Sequence, residues 1–312
     1  MKHRVFIDGS AGTTGLRIHE RLSGREDIEI VTLTGEARKQ PAARAEAANG
    51  ADAAFLCLPD AAAREIVPLI EKRVTVLDTS TAHRTAEGWT YGLPELTGQR
   101  EKIRAAKRIA VPGCHATGFI VLGRPMVELG WAPADYPFCA HSVTGYSGGG
   151  KSMIADYEEN GGDAEHQSPR QYALGQTHKH LPEMQAAAGL AYPPAFNPIV
   201  SGFYSGMAVT IALHTRLCKA GFCPEAAAEA LREYYRDEPL ITVHPAGETP
   251  ENGFLPANTL SGRDGLEIFV CGHQEQVILL SRFDNLGKGS SGAALQCMNL
   301  ALGEPETAGL AL

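Results

Sequence analysis

The first third of the chain alternates short apolar runs with segments of helical periodicity. The runs cover residues 4–8, 28–34, 53–58 and 74–78, and the first helical segment begins at about Thr13. Continuous apolar runs mark strands buried on both faces, and their alternation with helices predicts a parallel, doubly wound sheet. A further strand at 108–111 runs into Pro112-Gly113-Cys114, and 116–129 has the pattern of a helix. From about residue 136 the character changes. Strand candidates at 139–144, 206–214, 266–271 and 276–283, with one helix near 225–235, predict a second domain of α+β type. Residues 145–150 read as a hinge, and 156–166, rich in Glu, Asp and Gly, as an exposed loop. Near the end the helical pattern returns, with an apolar stripe of Ala294, Leu295, Met298, Leu300 and Leu302.

Composition narrows the classes. With 312 residues, 44% hydrophobic and 21% charged, the chain has material for two globular domains. No apolar run approaches the roughly 20 residues that cross a bilayer, and Met1-Lys2-His3 leads into a strand rather than a signal-peptide core, so no membrane partner and a cytoplasmic location are expected. A net charge of −8 argues against nucleic acid as a partner, so any anionic ligand must be held by local groups. The seven cysteines, 57, 114, 139, 218, 223, 271 and 297, show no zinc spacing, which predicts reduced thiols and no metal. Most lie in apolar strand-like contexts and are expected to be small buried hydrophobes. Cys114 is the exception.

Several motifs carry candidate chemistry. After the first strand, Gly9-Ser10-Ala11-Gly12-Thr13-Thr14-Gly15 opens a helix. Glycines there permit a tight turn and bring backbone N–H groups to a pyrophosphate, which predicts a Rossmann-like dinucleotide domain. At the end of the second strand, Glu36 would suit NAD, whereas Thr34 with Arg38 and Lys39 tilts the reading to NADP(H); a solvated helix start is the alternative. Cys114 stands between a strand and a helix, where the helix dipole favours thiolate, although a buried inert thiol fits the same position. His178 and His180 would point the same way if extended, which suits acid–base work better than a metal because no further ligands stand at metal spacing. Glu183 can orient such a histidine, or simply start a helix after Pro182. The loop from Ser142 through Gly145 and Ser147 to Lys151 reads as an anion-binding nest or as the hinge, and Arg84 is a second candidate for gripping phosphate.

The segment Val111-Pro112-Gly113-Cys114-His115-Ala116-Thr117-Gly118 resembles the nucleophile motif of N-acetyl-gamma-glutamyl-phosphate reductases, whose usual form is Asn-Pro-Gly-Cys-Tyr. Val111 and His115 depart from it, so no role is carried over to those two side chains. Tyr91-Gly92-Leu93-Pro94-Glu95-Leu96, Val76-Leu77-Asp78-Thr79-Ser80 with Arg84, His178-Lys179-His180-Leu181-Pro182-Glu183 and Asn285-Leu286-Gly287-Lys288-Gly289 follow the family's order, and the length is that of its short, type 2 form. The resemblance implies a dinucleotide domain of residues 1–115 and 286–312, and a catalytic and oligomerisation domain of residues 116–285 of glyceraldehyde-3-phosphate dehydrogenase-like type. It implies NADPH-dependent reduction of a small acyl phosphate, N-acetyl-L-glutamyl 5-phosphate, through a Cys114 thioester, in arginine biosynthesis. It also implies a histidine serving the thiol, His180 or His178, with Ser80, Asn285 and Lys288 beside the cofactor, in a homodimer or homotetramer. Aspartate-semialdehyde dehydrogenase, a reductase of acylated aminoadipyl phosphate and a catalytically silent dinucleotide-binding sensor are the alternatives. The tyrosine and histidine blocks favour the acetylglutamyl enzyme over the aspartate-semialdehyde one.

Overall fold

A computed structural model describes residues 2–249 and 253–312; Met1, read above with the N-terminus, lies outside it. The chain divides into two compact units, Met1–Gly113 with Ser290–Leu310, and Cys114–Gly289 with Ala311–Leu312.

The first unit runs β1 (His3–Asp8), α1 (Thr13–Ser23), β2 (Ile28–Val31), α2 (Pro41–Asn49), β3 (Ala53–Leu56), α3 (Asp60–Ile66), β4 (Thr75–Asp78), β5 (Thr90–Tyr91), α4 (Gln99–Ala105) and β6 (Arg108–Ala110). Its strands form one parallel sheet in the order β2-β1-β3-β4-β6-β5. Residues of α1 and α4 bury one face (Ile18, Leu22, Ile103), and residues of α2 and α3 bury the other (Ala45, Ala48, Ile66). This is the predicted doubly wound arrangement. The strand order reverses between β1 and β3, and in open parallel sheets the crevice at that point, at the carboxyl ends of the strands, is where ligands bind.

The second unit begins with α5 (Cys114–Glu128), followed by β7 (Cys139–Gly145), α6 (Gly150–Asn160), α7 (Ala164–Gln167), β8 (Arg170–Gln171), α8 (Leu181–Ala188), β9 (Ala195–Ser201), β10 (Met207–His214), α9 (Pro224–Tyr234), β11 (Ile241–Val243), β12 (Leu266–His273) and β13 (Gln276–Phe283). A mixed seven-stranded sheet runs β11-β12-β13-β10-β7-β9-β8. Helix α5 lies on β10 and β13, with α8 and α9 against it. The close approach of α5 depends on Gly118, where a Cβ would stand 2.4 Å from a Val209 methyl and 2.8 Å from the Phe283 ring. The last helix, α10 (Gly292–Leu302), belongs to the first unit and completes the core beside α1 and α4.

Three local expectations need correction. Residues 156–166 are not an exposed loop but the end of α6 and most of α7, because Met153, Ile154 and Tyr157 recur at helical spacing and Tyr157 buries itself against Tyr146 at 4.5 Å. Residues 145–150 are not a loose hinge. The N–H groups of Gly145, Tyr146 and Ser147 donate to the carbonyls of Gly206, Phe203 and Tyr204, and a Cβ on Gly145 would strike the Tyr204 carbonyl at 2.5 Å. The cysteines other than Cys114 are not six core residues: Cys297 alone among them is buried, Cys139 is exposed and four are half-buried, although all are free thiols. Cys139 occupies an outward position of β7, whose alternation puts Ala140 and Ser142 inside.

Candidate active site

In the first unit the glycine-rich turn follows β1. Gly9 has φ +81°, and a Cβ there would meet the Cys57 carbonyl at 2.2 Å. Gly15, in the first turn of α1, has Gly9 O at 2.4 Å from the place of its missing Cβ. Gly12 differs: the nearest atom to a Cβ there is Gly9 O, at 3.4 Å. Two glycines are thus demanded by the turn and by helix–strand packing, whereas the space beside the third is open. Gly12 caps α1 without a side-chain hydrogen bond, and the first turn holds no acid, so the N-terminus is suited to a phosphate. Ser10 is half-buried, Ala11 is exposed, and the Thr14 hydroxyl meets that of Ser290 at 3.2 Å. Beyond β2, Thr34 and Arg38 are exposed, while Lys39 pairs with Glu36 at 2.9 Å. The glycines make a contrast that can be measured. Gly9→Ala is expected to destabilise the protein by about 2–4 kcal/mol in thermal or denaturant melts. Gly12→Ala is expected to melt like wild type yet bind dinucleotide at least ~10-fold more weakly in a fluorescence titration.

At the end of β4, the buried Asp78 carboxylate accepts hydrogen bonds from the N–H and hydroxyl of Ser80 at 2.9 and 2.8 Å, and from His83 Nδ1 at 2.5 Å. His83 stacks on Trp89 at 4.2 Å. Arg84 is half-buried rather than a free surface arginine: its Nε donates to the Val111 carbonyl at 3.0 Å and an Nη to the Thr79 carbonyl at 3.1 Å. The guanidinium is thereby fixed to the backbone three residues before Cys114.

The second unit holds the thiol. Cys114 is the first residue of α5, half-buried, with no acid in the first turn, so the helix dipole acts on its sulfur unopposed from that turn. Gly289 presses on it from the turn after β13; a Cβ at 289 would stand 2.8 Å from Cys114 Cβ. Helix α8 packs against α5 and brings the two histidines to the same end. Their rings lie 4.6 Å apart, and each lies within 5.5 Å of the His115 ring. They do not meet through an extended backbone, as the spacing suggested. The His180 N–H donates to His178 Nδ1 at 3.1 Å, and His180, in helical conformation, caps α8. His178 is thus held through its Nδ1. His180 is 5% exposed, and Glu183 is buried one turn further along α8. Among the described residues no group of three or more His, Cys, Asp or Glu is arranged to hold a metal ion.

Several residues assigned to ligands by their sequence context are engaged in the frame. Ser142 is wholly buried with its hydroxyl 2.6 Å from His115 Nδ1. Ser147 accepts a hydrogen bond from Asn285 Nδ2 at 3.0 Å, and Asn285 Oδ1 accepts the Gly206 N–H at 2.8 Å. Lys288 is 0% exposed. Lys151, at the start of α6, is exposed. Nothing in the sequence singled out Tyr172, whose hydroxyl lies 2.7 Å from His115 Nε2, or His83, which meets Asp78. The one available signal was His115 itself, standing where the family motif has Tyr.

Comparison with known proteins bears on both units. Residues 4–106 match the family model described as semialdehyde dehydrogenase, NAD binding domain, and residues 114–285 the one described as semialdehyde dehydrogenase, dimerisation domain. The chain is 46% identical over 303 residues to an N-acetyl-gamma-glutamyl-phosphate reductase of Burkholderia ambifaria, covering 96% of each chain. It is 43% identical over 320 residues to N-acetyl-gamma-glutamyl-phosphate reductase 2 of a Nostoc species, covering 99% of each. A crystal structure of aspartate semialdehyde dehydrogenase II from Vibrio cholerae shares the fold, with a TM-score of 0.70 over 97% of this chain and 98% of the other at 15% identity. The chain therefore belongs to the semialdehyde dehydrogenase family, and within it to the N-acetyl-gamma-glutamyl-phosphate reductases.

Proposed function

We propose that this oxidoreductase reduces N-acetyl-L-glutamyl 5-phosphate to N-acetyl-L-glutamate 5-semialdehyde, reversibly and with NADPH, in arginine biosynthesis. The observation that carries the chemistry is Cys114 at the head of α5 with His178 and His180 gathered at the same end. The Cys114 thiolate attacks the acyl carbon; the carbon–sulfur bond forms as the bond to the phosphate oxygen breaks, leaving a thioester and inorganic phosphate. The turn of residues 9–15 with Thr34, Arg38 and Ser80 holds the dinucleotide, which when bound supplies the hydride. His180 in its protonated form gives its proton to the oxygen of the reduced carbon, then takes back the hydroxyl proton as the carbon–sulfur bond breaks and the aldehyde leaves. Glu183 orients His180, and His178 contacts substrate or substitutes for it. Arg84 and Lys151 take the phosphate, because Ser142, Gly145 and Ser147 are spent on the frame.

On this account the first unit binds dinucleotide, and the second carries the thiol and the surface for assembly as a homodimer or homotetramer. Support for the latter is the matched dimerisation domain and a sheet whose second face leaves Cys139, His141, Ala195 and Ala212 exposed. The free thiols and the net charge of −8 support a cytoplasmic enzyme without a nucleic-acid partner. Among the described residues no helix is long and apolar enough to cross a membrane. The test is the reverse reaction, following NADP reduction with phosphate and candidate semialdehydes. Turnover with N-acetyl-L-glutamate 5-semialdehyde at kcat/KM at least ~100-fold above that with aspartate semialdehyde is expected; preference for the latter would overturn the substrate.

A further inference from the structure

Cys114 and His115 are consecutive on α5, so their side chains leave the helix about 100° apart. The thiol is half-buried, whereas His115 turns into the protein and is 3% exposed. Both of its ring nitrogens are engaged there. Nδ1 lies 2.6 Å from the hydroxyl of Ser142, an inward residue of β7, and Nε2 lies 2.7 Å from the hydroxyl of Tyr172, just past β8. A hydroxyl can donate or accept, so both bonds hold with the ring proton on either nitrogen. The imidazole is thereby fixed at two edges by elements from different parts of the chain. Tyr, the usual residue at this place in the motif, carries one polar atom at the tip of its ring and has no second edge nitrogen.

Other rings are packed on this fixed one. His178 and Phe196 meet it edge to face at 5.4 and 5.2 Å, His180 is tilted against it at 5.5 Å, and His178 also lies 5.1 Å from Phe196. Phe196 is itself anchored: its N–H donates to the Gln176 side chain at 2.8 Å, and its carbonyl accepts from the same amide at 2.7 Å. The two histidines of the His-Lys-His block therefore rest on a platform of His115 and Phe196 whose own place is set by hydrogen bonds. Such support bears on chemistry because a displacement of about 1 Å at a reacting group costs on the order of 10²-fold in rate.

From these contacts we infer that His115 is a positioning residue for the acid–base histidine: anchored to Ser142 and Tyr172, it holds the rings of His178 and His180 in place at the end of α5 that carries Cys114. The inference rests on the reading of His180 as the acid–base group. Its test is a double-mutant cycle on kcat, because a residue that acts through another has nothing left to act on once the other is removed. His115→Phe keeps a ring and removes both anchors. It is expected to lower kcat about 10–100-fold with KM changed less than about twofold. In a His180→Ala background the same substitution should change kcat by less than about twofold. Ser142→Ala and Tyr172→Phe each remove one anchor and leave the imidazole; each should lower kcat about 2–10-fold in wild type and leave the kcat of His180→Ala unchanged. These two variants carry the test if His115→Phe does not fold. Losses that multiply with that of His180→Ala would overturn the inference, as would an unchanged kcat in all the folded variants. A His180→Ala enzyme with wild-type kcat would remove the reading of His180 and the inference with it, so the two failures are told apart.

Discussion

Cys114→Ser should lower turnover by at least about a thousandfold while leaving dinucleotide binding and thermal stability near wild type. The expectation follows from the placement of the thiol. Cys114 is half-buried at the first position of a 15-residue helix, so its side chain is not part of the core that the remainder of α5 builds from Phe119, Ile120 and Leu122. The substitution changes one atom and removes a group that the helix dipole can hold as an anion at neutral pH; a hydroxyl gains too little from the same field to ionise. Steady-state kinetics beside a dinucleotide titration measures both halves of the result.

The second large effect is expected at His180. His180→Ala should reduce kcat by roughly 10²–10⁴-fold, the range for loss of a general acid–base, with a small change in KM. His178→Ala should cost less, on the order of tenfold, because His178 Nδ1 already accepts the His180 N–H and its loss mainly loosens the turn. His115 is unsuited to the part: burial holds it down at about 3, so it is not an imidazolium acid at neutral pH. A titration in the kcat profile of wild type that disappears in His180→Ala and persists in His178→Ala assigns the role. The reverse pattern would exchange the two histidines.

The features legible in the sequence were those with local causes. A glycine demanded by φ +81° and a carbonyl 2.2 Å from its missing Cβ announces itself in any βα turn, and a Pro-Gly before a helix places a thiol at a helix terminus. Parallel strands buried on both faces are readable as apolar runs. What remained hidden depends on contacts distant along the chain. Residues 145–147 have the composition of an anion nest, yet their N–H groups are satisfied by carbonyls of 203–206, some 60 positions away. Asn285 reads as a ligand contact and is a brace between Gly206 and Ser147. Charged residues at 156–166 masked a helix because its buried side is narrow, with Tyr157 as its one fully buried member. Tyr172 carries no motif at all. It is found only through its hydroxyl's contact with His115.

The most direct test of a Cys114 thioester is to trap it. Wild-type enzyme would be mixed with N-acetylglutamyl phosphate generated in situ, in the absence of dinucleotide, quenched in acid, digested and read by mass spectrometry. The account predicts an N-acetylglutamyl adduct on the Cys114 peptide, labile to hydroxylamine, formed together with one equivalent of phosphate and absent from Cys114→Ser. An unmodified Cys114 peptide alongside full turnover when NADPH is added, or the adduct on any other residue, would contradict it.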